Sequence, residues 1–329
     1  MSTNWSQSEY RRRTRASRLS GMPMKRKLVY DVGFNIGQDT AFYLARGHRV
    51  VAIEADPTLA EDGRKRFSRD IEAGNLEIVN VGIAQEEGSA EFWICEGKPE
   101  FNSFYQGIAA RNGYATHAIR IPTTRFASVM RRFGTPYFLK IDIEGNEMLC
   151  LNDLSTSDLP TYISIESECP IDAKPIDAAD GLRVLLKLRE LGYQSFKLID
   201  QLTFCSISDP PSLNYLLDAA SRKWLTRPPL SSIRGSHRLS QHLMTKPKLE
   251  RSLRWKFPLG SSGALGEDTA GTWISWEAAE RAYRQHRESY FRTPGVAHHS
   301  FWCDWHAKLE VQTPVDALHR SVRSEERNI

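Results

Sequence analysis

A short apolar run, Leu28-Val29-Tyr30, leads into Asp31-Val32-Gly33-Phe34-Asn35-Ile36-Gly37, and this turn constrains the fold more than any other feature. Glycines at 33 and 37 let the backbone turn sharply and approach a ligand with no Cβ in the way. Ile36 to Arg46 reads as a helix, whose first turn offers N–H groups with no partner inside it. Val50 to Ile53 reads as a strand closed by Glu54, 21 residues beyond Gly33. A carboxylate there is placed to hold both hydroxyls of a ribose. Strand, glycine turn, helix, strand and acid in that order point to a nucleotide-like ligand at the end of a parallel sheet.

The spacing narrows the ligand. A dinucleotide turn needs GxGxxG to let the backbone reach a pyrophosphate. Here the pattern is Asp-x-Gly-x-Asn-x-Gly, with Asn35 in the middle and an acid leading. An acid beside the loop suits a cationic sulfonium or amino group, and the lysine of a phosphate-binding loop is missing. S-adenosylmethionine fits better than a nicotinamide dinucleotide.

The pattern of strands and helices continues. Thr58 to Ala73 reads as helical, Leu76 to Val81 as extended, Ala90 to Ile94 and His117 to Ile121 as strands, and Thr124 to Phe133 as a helix. Tyr137 to Ile143 and Tyr162 to Ile165 read as strands, Ala178 to Leu191 as an amphipathic helix, and Phe196 to Ile199 as extended. Alternation of this kind predicts an α/β fold with a mostly parallel sheet and helices on both faces. The rhythm stops near residue 206. We therefore divide the chain into a basic N-terminal tail (1–26) expected to be disordered and a nucleotide-binding core (27–206). An insertion (207–300) with a lid or recognition role follows, then a final strand and tail (301–329). Within the insertion, Leu259 to Gly266 is Gly-rich and Trp276 to Tyr290 reads as a helix; Phe301 to His306 reads as the last strand.

Charge is unevenly spread. Residues 1–27 hold eight Lys/Arg against one Glu, and 222–256 hold ten against one, so the rest carries −12 although the whole chain is +4. Basic segments of this sort bind anions or remain solvated surface. The internal one lacks the aromatic interleaving of a single-strand binder, which counts against nucleic acid. No stretch reaches the length of a membrane-spanning helix, and no apolar run follows the N-terminal arginines. Cysteines at 95, 150, 169, 205 and 303 form no CxxC pair, so the spacing indicates neither a disulfide framework nor a zinc site. A cytoplasmic protein is expected.

Asp31-Val-Gly-Phe-Asn-Ile-Gly37, Glu54-Ala-Asp-Pro57, Lys140-Ile-Asp-Ile-Glu-Gly-Asn-Glu147 and Ile163-Ser-Ile-Glu166 together resemble the FkbM-type methyltransferases over roughly residues 28–200. The resemblance implies a class I Rossmann-like, seven-stranded sheet of order 3-2-1-4-5-7-6, with the last strand near 301–308. It implies methyl transfer from S-adenosylmethionine, most often to a hydroxyl of a sugar, glycan or natural product. Asp31, Gly33, Asn35 and Gly37 would hold the methionine end of the cofactor. Glu54 would hold the ribose, with Ala55 and Asp56 beside it, and Asn80, Gly82 and Ile83 would line the adenine. Asp142 would sit near the reacting methyl. Ser103 lies where the family often has a serine and is carried as an acceptor-site candidate.

Lys140, Asp142 and Glu144 would project to one side of an extended strand, with Glu166 at the neighbouring strand end. Asp142, Glu144 and Glu166 are the candidate proton acceptors, and Lys140 their partner. A salt-bridged sheet edge is the plain alternative. The carboxylates could hold a divalent cation, but no ligand spacing is diagnostic and no metal is assigned. His306 and Asp304, two apart on the last strand, are substrate-side candidates; the alternative is a buried structural histidine. His117 reads as a strand surface residue. Asp209-Pro210-Pro211 looks like part of a base-methylating motif but lies after the sixth strand, where it reads as a turn. The expectation is an S-adenosylmethionine-dependent O-methyltransferase with a small-molecule or glycan acceptor, in an arrangement that could be a homodimer. RNA or protein methylation and a non-catalytic module are the alternatives.

Overall fold

The computed structural model describes residues 26–167, 178–220, 243–292 and 301–310. The N-terminal tail to residue 25, most of the internal basic segment and the end of the chain lie outside the described residues.

The chain opens with β1 (Leu28–Val32), α1 (Gln38–Ala45), β2 (Arg49–Glu54), α2 (Pro57–Arg66), α3 (Ser68–Glu72) and β3 (Leu76–Asn80). Asp56 caps α2 by accepting from the Thr58 and Leu59 amides, and Pro57 suits the first helical position. The helix expected over Thr58 to Ala73 is two helices. It breaks at Phe67, whose backbone leaves the helical range while its buried ring meets Phe34 edge to face, 6.0 Å between centroids.

Then come β4 (Gly82–Ile83), β5 (Gly88–Cys95), the single-turn α4 (Gln106–Ala109) and β6 (Thr116–Thr124), with β5 antiparallel and β4 parallel to β6. These strands form a separate three-stranded sheet in the order β4-β6-β5. His117 on β6 is exposed, 3.6 Å from Glu96, as read. Next come α5 (Phe126–Phe133), β7 (Phe138–Ile141), α6 (Glu147–Asn152), β8 (Tyr162–Glu166), α7 (Ala178–Leu191), β9 (Ser195–Asp200) and β10 (Ser206–Ile207). The insertion carries α8 (Leu213–Ala220), α9 (Thr245–Leu253) and α10 (Trp276–Arg292), and β11 (Cys303–Lys308) closes the described chain.

The main sheet has the order β10-β9-β11-β8-β7-β1-β2-β3. Its inner order is the expected 3-2-1-4-5-7-6, but the count is eight strands. The extra strand arises because Asp200 accepts from the Thr203 amide and hydroxyl, which turns the chain back onto β9. β11 runs antiparallel to both β8 and β9, so its first residues lie at the C-terminal ends of the parallel strands.

Alternation along each strand feeds two cores. Tyr30, Val32, Leu139, Ile141, Ile163 and Ile165 face α5, α6, α7 and α10. Val29, Val50, Ala52, Phe138 and Tyr162 face α1 and a part of the insertion, including Trp255, Phe257, Ala264 and Leu265. The described parts of 207–300 thus supply cover to both faces. Asp209-Pro210 sits in a bend after β10, far along the sheet from the end of β7. Among the described residues, no helix is long and apolar enough to cross a membrane.

Candidate active site

The loop after β1 is built around close contacts. A Cβ on Gly33 would stand 1.7 Å from the Asp142 carbonyl oxygen, and φ there is +91°. Gly37, at φ +75°, starts α1, and a Cβ on it would strike the Phe34 and Phe67 rings. Asn35 also has positive φ, +49°. Its buried Oδ1 has no hydrogen-bond partner among the described residues, an unsatisfied acceptor aimed within the loop that a donor-bearing ligand would satisfy.

Lys140 is the electrostatic centre. In register beside Asp31 on β1, it places Nζ 3.1 Å from Asp31, 3.7 Å from both Asp39 and Asp142, and donates to the Gly33 carbonyl at 2.9 Å. Burial opposes its charge, but Asp31, Asp142 and Asp39 outweigh burial and hold it protonated, above the ordinary lysine range. Asp31 also accepts from Thr40 Oγ1 at 2.7 Å. Asp39, in the first turn of α1, is pushed up to about 6 by burial, against the pull of Lys140. Ser261 and Ser262 of the insertion donate to it at 2.5 and 3.1 Å.

Glu54 accepts from the Asn35 amide (2.6 Å) and the Asp56 amide (2.8 Å). Burial raises it to about 7, against those two bonds. Each oxygen keeps an acceptor site for a hydroxyl. Ala55 follows it, and Asp56 is occupied: besides capping α2 it accepts from Asn102 Nδ2 at 3.0 Å. Asn80 spends its amide on the carbonyls of Glu54 and Ala55 and so braces this strand end. Gly82 leaves room for the Phe104 ring, which a Cβ would meet at 2.4 Å, and Ile83 is buried beside it.

The acidic cluster differs from its expected arrangement. β7 stops at Ile141, and Glu144 has φ +55°, so Lys140, Asp142 and Glu144 do not share one extended strand. The tight turn is held by Glu147, buried, whose carboxylate accepts from the Ile143 and Gly145 amides. Even so, one oxygen each from Asp142, Glu144 and Glu166 lies within 4.8 Å of the others, a grouping that a hard cation would suit. A cation already stands there: Arg111 meets Glu144 in a two-pronged pair at 2.5 and 2.7 Å and stacks 3.6 Å over Phe101. Burial lifts Glu144 to about 7 despite Arg111. Burial, then Glu144 and Asp142, push Glu166 well above the carboxylate range.

Two candidates are buried, His306 as its alternative reading had it. Ser103 is buried; its hydroxyl donates to the Glu144 carbonyl at 2.7 Å and so ties the β5–β6 connection to the turn after β7. His306 is 2% exposed, in register with Ser164 and Lys197 in mid-sheet, and burial followed by Lys197 lowers it to about 3. Asp304 lies at the strand end beside Glu166, accepts from Ser164, and is raised by burial and then by Asp142. Sequence reasoning missed Arg111, Asp39 and Asn102. Only Asp39, an acid in the first turn after the glycine loop, carried a local signal.

A family description, Methyltransferase FkbM domain, matches residues 31–195, just over half of the chain. No curated protein sequence matches. Among solved structures, the O-methyltransferase from Bacillus cereus in complex with SAH is 14% identical, with a TM-score of 0.31, over 59% of this chain and 82% of that one. The O-methyltransferase TomG from Streptomyces achromogenes, in complex with SAM, is 12% identical with a TM-score of 0.31, over 59% and 81%. The precorrin-6y C5,15-methyltransferase from Geobacter metallireducens GS-15 is 12% identical with a TM-score of 0.30, over 59% and 77%. Scores this low carry no weight in the assignment. The family match carries it, on a span that holds the glycine loop, Glu54, Lys140 and the acidic turn: the chain belongs to the FkbM methyltransferase family.

Proposed function

We propose that this methyltransferase is S-adenosylmethionine-dependent and methylates a hydroxyl of a sugar, glycan or natural product. The observation that carries the reading is one of charge. Among the described residues, Asp31, Asp39, Asp142, Glu144, Glu166 and Asp304 gather around two cations, Lys140 and Arg111, at the C-terminal end of the sheet. An excess of carboxylate in a partly buried site favours a ligand carrying positive charge.

In this reading Asp31, Gly33, Asn35 and Gly37 take the methionine end, and the unsatisfied Asn35 oxygen accepts from its amino group. Glu54 takes the ribose hydroxyls through its remaining acceptor sites, beside Ala55 and Asp56. Asn80, Gly82 and Ile83 form the edge on which the adenine lies. When bound, the cofactor supplies a methyl group on a sulfonium, open to in-line displacement. The chain supplies positioning, which accounts for much of such catalysis, and a proton acceptor. Asp142, fixed by Lys140, orients the amine or acceptor. Glu166, its acidity weakened by burial and then by Glu144 and Asp142, takes the hydroxyl proton once it is ionised. Glu144, held by Arg111, and Ser103 position the acidic turn, while Asp304 and His306 meet at the Ser164 hydroxyl on the neighbouring strand. The working compartment is the cytoplasm, consistent with four described cysteines outside any disulfide.

The test is to incubate purified protein with methyl-labelled S-adenosylmethionine and fractionated source-cell extract. Label in a small-molecule or glycan fraction that survives mild alkali is the expected result, since ethers resist hydrolysis. Alkali-labile label would mean a carboxyl acceptor, and nuclease-sensitive label an RNA one. Cofactor binding with no transfer to any fraction would overturn the catalytic reading.

A further inference from the structure

On the opposite face of the sheet from Asp304 lies a second convergence of side chains. Asp200 ends β9 and Cys303 begins β11, and the two stand directly opposite each other in the antiparallel register. Their side chains therefore share a face and lie within cross-strand reach. α10 packs on that face: Tyr283 is buried against Trp305 and Phe301, with ring centroids at 5.6 and 5.9 Å. One helical turn further on, His286 comes over the same strand ends, its ring 5.5 Å from Phe301. One ligand atom each from Asp200, His286 and Cys303 lies within 4.8 Å of the other two.

We propose that Asp200, His286 and Cys303 bind a zinc ion that pins α10 and the last strand to the end of β9. This proposal is independent of the methyl-transfer reading. The donor set of one thiolate, one imidazole and one carboxylate is the mixed S, N, O set that zinc takes in four-coordinate sites. Bonds of about 2.0–2.3 Å put tetrahedral ligand atoms roughly 3.5 Å apart, so the three need close in by only about 1 Å. A thiolate and a carboxylate together balance the charge of a dication.

The surroundings have the form of a supporting shell. Asp200 Oδ1 accepts from the Thr203 amide and hydroxyl, both at 2.8 Å, which orients the carboxylate. Tyr215 Oη lies 3.2 Å from His286 Nδ1 and fixes the ring. Outer hydrogen bonds of this kind hold the ligands of metal sites. Phe301 and Tyr283 provide an apolar wall. Cys303 is buried, whereas Asp200 and His286 are half-buried, which leaves access for the ion and for a water as fourth ligand. Cysteine spacing gave no sign of this site because its ligands come from three separate elements.

The experiment uses the full chain, stripped of metal by a chelator and then titrated with Co2+ as a spectroscopic stand-in, followed by Zn2+. The expected result is one Co2+ per chain with a thiolate-to-cobalt charge-transfer band and tetrahedral visible bands, displaced by Zn2+ with a rise in Tm. Cys303→Ser should abolish the charge-transfer band, and Cys95→Ser should leave it. His286→Gln and Asp200→Asn, at half-buried positions, should each weaken Co2+ affinity at least about tenfold while circular dichroism confirms folding. Absence of a thiolate band in the parent chain would overturn the proposal. So would a band that persists in Cys303→Ser, or an affinity unchanged in both His286→Gln and Asp200→Asn.

Discussion

Gly33 is the residue with least freedom to change. A methyl group there would need the space of the Asp142 carbonyl, 1.7 Å away, in a conformation that side chains rarely adopt. Gly33→Ala should separate β1 from β7 and abolish cofactor binding by calorimetry. Gly134→Ala, at φ +87° with open space around it, should cost about 1–3 kcal/mol in urea unfolding and leave cofactor binding intact. Glu166 offers a second test. A base works deprotonated, so with its acidity weakened by burial and by Glu144 and Asp142, kcat/KM should climb as pH rises through a value well above ordinary carboxylates. Glu166→Gln should lower kcat by about 10²–10⁴-fold and remove that limb from the pH profile. Asp31, Gly33 and Glu54 were legible in the sequence because one contiguous strand-turn-helix-strand unit fixes their places. Arg111 was not: it reaches Glu144 from the β5–β6 connection, 33 residues away, and nothing in its neighbourhood marks it. Glu144 was misplaced for a local reason, since a non-glycine residue at φ +55° ends the strand that alternation would have continued.

At the scale of elements, the insertion is the least legible part and the most consequential. Its composition gives it a lid or recognition role but not a place on the sheet, and residues 255–269 form a layer over the sheet's polar face. Alternation shows which face of a strand is apolar, but not that a distant segment will supply polar partners for the other residues. Asp39 meets Ser261 and Ser262, Lys197 donates to the Thr269 carbonyl and hydroxyl, and Arg46 pairs with Asp268. Glu267 is the main fastening: it accepts from Tyr162 Oη, Trp273 Nε1 and Lys308 Nζ at 2.8–3.0 Å. Glu267→Ala should speed hydrogen exchange across 255–273 while α5 and α6, on the far face, keep their protection. Equal protection in both proteins would show that the apolar contacts of Trp255 and Phe257 hold this layer unaided.

For the molecule as a whole, the buried row Asp31, Lys140, Ser164, His306 and Lys197, in register from strand to strand, makes stability depend on pH. Burial, then Lys197, depress His306 to about 3. Below its unfolded value near 6.5, the unfolded chain takes up a proton that the folded chain refuses. The stabilisation is complete above that pH and lost as pH falls towards 3. Relative to His306→Gln, the parent should lose about 2 kcal/mol between roughly pH 7 and pH 5, read from urea midpoints; parallel losses in both proteins would exclude the histidine.

β11 enters between β8 and β9, strands made more than a hundred residues before it. As the chain leaves the ribosome, those two strands emerge with a one-strand gap between them, and Ile163, Ile165, Phe196 and Leu198 line its edges. The sheet cannot be zipped from one end; it waits for a late threading event across long sequence separation, which slows folding and exposes unpaired edges meanwhile. A stop codon before residue 303 would therefore give not a shortened enzyme but a split sheet with two adhesive rims, and its product should appear in inclusion bodies.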